Sequence, residues 1–136
     1  MLMFVGLISY AQQYQWTGAS GDIDFFNELN WKDTSTSEIP SNNSINPGEN
    51  IEFELFISCE VSAENEIYLG ENGKITIVNG ELNGDSINGL GSIILGESSY
   101  LNLESSYPLH EGLSITFESN ISWIRLINVE PNSAYY

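Results

Sequence analysis

The chain has 136 residues, long enough for one domain with a modest core and too short for two ordinary ones. Three Lys and Arg stand against 19 Asp and Glu, a formal net charge of -16, so the average field repels polyanions and argues against nucleic acid or an anionic membrane surface as a partner. A single cysteine, Cys59, excludes a disulfide within the chain, and a single histidine, His110, excludes a histidine cluster for zinc or copper.

The first predicted element is a leader. Met1 to Ile8 is an apolar run, and Ser9-Tyr10-Ala11 follows the small-x-small rule for cleavage after Ala11, which predicts a signal peptide over 1–11. A complete leader carries Lys or Arg ahead of its apolar run and this one has none, so it is expected to be truncated. The competing expectation is a buried N-terminal strand. A membrane span needs ~20 apolar residues. The run is too short for that and no other stretch suits, so the mature protein is expected outside the cell or on its outer surface, without membrane insertion.

Residues 12–50 read as a cap segment and a loop. Trp16 and Trp31 bracket DFFNELNW, where the spacing of Phe25 and Leu29 predicts one or two helical turns with Asp24 as the N-cap. TSTSEIPSNNSINPGEN has no period and is rich in turn formers, so it predicts an exposed loop that ends at Pro47-Gly48.

From residue 51 the pattern is β. Ile51, Phe53, Leu55, Ile57, Cys59, Val61 and Ala63 alternate with polar residues, which predicts one long strand broken once by a bend, with Cys59 a buried and inert thiol. Shorter strands are predicted over 67–69, 75–78, 92–95, 100–103, 113–117 and 121–129, between Gly and Asn turns. EIYLGENGKITI and SIILGESSYLNL repeat one another at an offset of 26, aligning Ile67 with Ile93, Leu69 with Leu95, Ile75 with Leu101 and Ile77 with Leu103. Gly48-Glu49-Asn50 and Gly70-Glu71-Asn72 form a weaker echo at an offset of 22. Units that cannot bury their own apolar faces must stack, so 51–136 is read as an all-β parallel β-helix or solenoid region with an N-terminal Trp-containing cap. An antiparallel β-sandwich, in which similar hairpins recur by composition, is the alternative.

Reactive chemistry is sparse. His110 follows a proline in a turn and reads as a solvated loop residue, and GLGSIILG lacks the Lys-Ser/Thr ending of a phosphate loop. With so many carboxylates some pair must lie close, so paired acids do not by themselves argue for a glycosidase. Asp22, Asp24 and Asp85 are the candidate ligands for calcium, in segments that match neither an EF-hand loop nor a calcium-binding nonapeptide; no cofactor is otherwise expected. Thr76 is the lone threonine across the echoed segments, residues 66–103, which argues against ice binding. Sugar rings pack their apolar faces on aromatic side chains, and Tyr68 and Tyr100 point outward if Leu69 and Leu101 point inward, which makes the two tyrosines the candidate ligand-binding residues. Trp16, Trp31 and Trp123 are read as covers for the ends of the solenoid.

QWTGASGDIDFFNELNWKD, with Trp-Thr-Gly, a gap and Asn-Trp, followed by Pro47-Gly48 and strands, resembles the beginnings of repetitive β-solenoid proteins exported by Bacteroidetes and of autotransporter-like passenger regions. The YAQ end of the leader is similar to leaders of that phylum. The resemblance covers residues 10 to about 103. It implies the N-terminal region of a longer secreted or surface protein, of a kind that often ends in a sorting domain, and it carries no catalytic residues to transfer. The expected function is therefore non-enzymatic: an extracellular module in adhesion, display or contact with a polysaccharide or cell-surface glycan. The competing expectation is the leading part of a polysaccharide-degrading β-helix enzyme, a lyase or glycoside hydrolase, whose site lies on later coils.

Overall fold

The computed structural model describes residues 12–41, 45, 51–105 and 108–127. The leader therefore lies outside the described residues, as do most of the loop before residue 51 and the end of the last predicted strand. The strands are β1 (Gln12–Trp16), β2 (Trp31–Asp33), β3 (Ile51–Ala63), β4 (Ile67–Leu69), β5 (Lys74–Gly84), β6 (Ile87–Gly89), β7 (Ser92–Leu95), β8 (Tyr100–Leu103), β9 (Ser114–Phe117) and β10 (Trp123–Leu126).

Strand pairing decides between the two architectures. β3 runs parallel to β5, β5 to both β7 and β8, β7 to β9, β8 to β10 and β4 to β6. Hairpins would make these neighbours antiparallel, so the sandwich is overturned and the chain is a β-solenoid of about three turns. Each coil has three sides. The first carries the leading halves of β3 and β5, then β7 and β9; the second carries their trailing halves, then β8 and β10. The third is β4 on β6, extended by a bridge from Ile87 to Leu109.

The bend expected in the long strand is a bulge. Phe56 pairs with Val78 and Cys59 with Gly80, so Ile57 and Ser58 face Asn79 alone, and Asn79 turns the corner at φ 53°. Asn tolerates that left-handed conformation better than most residues. Alternation then resumes, and Ile75, Ile77 and Leu82 in β5 all point inward.

The coil register corrects the longer echo. Ile67 stacks on Ile87, Ile75 on Ile93 and Leu82 on Leu101, offsets of 20, 18 and 19. The offset of 26 links the third side of one coil to the first side of the coil after next, which is one coil plus one corner. It recurs because every corner needs the same strand, Gly turn, strand chemistry. The weaker offset of 22 is the true step from β3 to β5, where Phe53 meets Ile75.

Inward columns such as Phe53, Ile75 and Ile93 are sealed from solvent, and each such side chain contributes roughly 1.5–3 kcal/mol by leaving water. In the last coil among the described residues, Ile115, Ile124 and Leu126 are only partly buried. The opposite end is closed by the cap. β1 adds a parallel strand beside β3, and the short β2 turns back antiparallel to it. Between them the chain crosses the second side, where Ser62 donates its amide to Ile23 and accepts from the amide of Phe25. Tyr14, Trp16, Phe25 and Trp31 are thereby buried at the end of the core, with Phe25 and Trp31 each about 5 Å from Phe53. The tryptophan cap predicted from Trp16 and Trp31 is present, as an aromatic plug.

Candidate functional site

Asp22 and Asp24 belong to the folding of the cap. The Asp22 carboxylate accepts from the Asn30 side-chain amide at 2.6 Å, the Asn27 side-chain amide at 2.8 Å and the Asp24 backbone amide at 3.1 Å. Asp24 accepts from the amide of Phe26. It caps that turn, whereas the 3-10 turn Glu28–Asn30 is capped by Asn27; the expected helical turns shrink to this single one. Asn30 is fully buried, and its side-chain oxygen accepts from the amide and hydroxyl of Ser20. Asp85 stands at another corner, where it accepts from the Ser86 hydroxyl. Among the described residues no group of three or more His, Cys, Asp or Glu is arranged to hold a metal ion.

The amides around Asp22, Asn30 foremost and then Asn27, hold its carboxyl below the ordinary value of 3.8. A lowered pKa stabilises the fold above the unfolded value, and that contribution is lost as pH falls through the folded value. Thermal melts should therefore show Asp22→Asn less stable than the parent at neutral pH, with the gap closing well below pH 3.8. A gap that persists in strong acid would mean that the carboxylate charge is not what matters.

His110 lies exposed at a corner, with Nδ1 3.0 Å from the Gly89 carbonyl and 3.1 Å from the Gly112 amide, in keeping with a turn residue. Cys59 corrects the sequence reading in part. It packs against the core but is only partly buried, at the rim of a groove, and burial pushes its thiol pKa up, which disfavours the thiolate.

Tyr68 and Tyr100 do point outward, each 43% exposed, while Leu69 and Leu101 are sealed inside. They do not share a surface. Tyr68 sits on the third side, beside Asn88 of the next coil. Tyr100 sits on the second, in register with Glu81 below it and Trp123 above it. Glu81 is in turn in register with Glu60. Four stacked strands of the second side thus place Glu60, Glu81, Tyr100 and Trp123 in one outward column, with steps of about 4.8 Å between strands. Trp123 is 63% exposed on this lateral face, which corrects its reading as an end cover. Its place beside Tyr100 was hidden because the two are 23 residues apart, and only the coil register makes them neighbours.

Beside the column lies a groove of about 470 Å³, walled by Cys59, Glu60, Asn79, Glu81, Ser98 and Tyr100. Corners of unequal length produce it. Coil two turns tightly through Asn79, while the next coil swings out through Gly96 to Ser99, with Ser98 at φ 50°. A parallel row of amides orients the acids: Asn102 donates to Glu81 at 2.7 Å and to Asn83 at 2.8 Å, and Asn83 reaches Glu60 at 3.4 Å. Neither acid is in an ion pair; among the described residues the one such pair is Lys74 with Glu52 on the first side. The arrangement offers two flat apolar rings and two oriented carboxylates to one elongated molecule.

No family model, curated protein or solved structure matches this chain. Its reading therefore rests on the site itself. No helix among the described residues is long and apolar enough to cross a membrane.

Proposed function

We propose that this chain is a non-catalytic module of a secreted or surface-exposed bacterial protein, and that it contacts glycans through its second side. The observation that carries the reading is the pairing of Tyr100 with Trp123 on adjacent strands of a lateral face. Exposed aromatic rings on a rigid β-surface lose little entropy on binding and offer the apolar face that a sugar ring needs. The step between coils is close to the length of one sugar unit, so two rings can meet successive units of an extended chain. The leader expected over 1–11, and the resemblance of the opening segment to Bacteroidetes and autotransporter-like solenoids, support export and display.

Affinity electrophoresis through soluble polysaccharides is the direct test. Tyr100→Ala and Trp123→Ala should each weaken retention about tenfold, the effect of losing an interface anchor. Tyr68→Ala, on another side, should leave retention unchanged. Equal losses from all three, or from none, would remove the second side as the contact surface.

The enzyme reading draws on the same groove, because Glu60 and Glu81 one strand apart beside Tyr100 supply two carboxylates and a phenol. New reducing ends or unsaturated products appearing with time would favour it over the binding module.

A further inference from the structure

We infer that the glycan suited to this face is a cationic one, a polymer of amino sugars with free ammonium groups. The inference rests on the glycan-binding reading above and adds the charge of the ligand. Glu60 and Glu81 are in register on neighbouring parallel strands. Like charges placed side by side in this way repel, so a cation that lands between them is favoured over a neutral group. The cations that the chain does have are elsewhere. Lys74 is held by Glu52 on the first side, Lys32 is on β2 of the cap, and Arg125 is in register with Asn102, in the row beside the column. The two acids are oriented instead by neutral amides, which fix the carboxylates without cancelling their charge.

A bound ammonium would relieve the repulsion between Glu60 and Glu81 while the ring that bears it rests against Tyr100, and the next ring against Trp123. A formal net charge of -16 draws such a polymer in and opposes uronic acid chains. A basic peptide shares the charge but fits less well. Peptides commonly add to a sheet through an unpaired strand edge, whereas on this side the trailing half of β5 and β8 lie between parallel neighbours.

The test compares one backbone in two charge states: a β-1,4-linked glucosamine hexamer and its fully N-acetylated counterpart, titrated calorimetrically into the full chain, with oligolysine and calcium chloride as further probes. The glucosamine hexamer should bind more tightly than the N-acetylated one by about tenfold or more, and Glu81→Gln should remove most of that preference. Trp123→Ala should weaken both hexamers. Equal binding of the two hexamers overturns the cationic inference and leaves the glycan reading standing. Binding of neither overturns both. Glucosamine binding that is insensitive to Trp123→Ala and is matched by oligolysine reduces the effect to general charge attraction and overturns the site; calcium that competes at Glu81 alone would assign the acids to a metal. Melting curves of Glu81→Gln and Trp123→Ala close to the parent's would show that each loss is local.

Discussion

Gly89→Ala is expected to cost about 3–5 kcal/mol, a large part of the total stability of a domain this size. Gly89 ends β6 with φ at +107°, a conformation that residues with a Cβ rarely adopt. A Cβ there would come within 2.0 Å of the Leu69 carbonyl oxygen, and backbone cannot retreat as a flexible side chain can. The same carbonyl accepts from the amide of Leu90, so movement away from the clash would also break the link between the third sides of two coils. Thermal unfolding followed by circular dichroism should show Tm lowered by roughly 10–20 °C. A shift of only a degree or two would mean that the corner relaxes, and that β4 and β6 are less tightly joined than their spacing implies.

Trp31→Ala should be comparably severe, at about 3–5 kcal/mol. Trp31 is 1% exposed, and its ring lies 5.1 Å from each of Trp16, Phe25 and Phe53. Removing it opens a cavity where the plug meets the first coil. It also deletes the indole donor 2.7 Å from the Phe25 carbonyl. Trp31→Phe keeps a six-membered ring in the plug while losing the hydrogen bond and part of the indole volume, and is expected to cost less, about 2–3 kcal/mol. A loosened plug uncovers the edge of β3, so the alanine variant should also aggregate faster on heating, as seen by light scattering. If Trp31→Phe proved as damaging as Trp31→Ala, the indole's donor and full size, and not the mere presence of a ring, would be what holds the cap.

Both predictions concern ends and corners, where a solenoid is most exposed to change. Along the sides each coil meets a similar coil, and a single loss is shared by neighbours above and below. At Gly89 and Trp31 the contacts are unique.

The candidate face has a different sensitivity. Tyr100, Trp123, Glu60 and Glu81 all point outward, so substitutions there should alter binding and leave Tm nearly unchanged. That contrast between cap or corner variants and face variants is what would separate a binding surface from a structural one.

Local pattern was sufficient for much of this protein. Alternation from Ile51 to Ala63 announced a strand because the side-chain period of a β-strand belongs to the strand alone. The same locality made the outward placement of Tyr68 and Tyr100 readable from Leu69 and Leu101, and the paired tryptophans marked the cap. β6 was missed because Ile87-Asn88-Gly89 carries one apolar side chain, against two in the equally short β4, and becomes a strand only by pairing with β4. Which residues became neighbours was decided by tertiary structure. Corner lengths vary from coil to coil, so the step between stacked residues is 22 from Phe53 to Ile75, 18 from Ile75 to Ile93 and 23 from Tyr100 to Trp123, and no fixed offset along the chain could find them. An offset of 26 looked like the repeat because corners resemble one another wherever they fall. Tyr68 and Tyr100 both read as outward and lie on different sides, while Trp123 read as a cover and stands beside Tyr100. A side chain's direction is set by its own strand, but its company is set by how many residues each coil spends at its corners, and that is settled only when the coils stack.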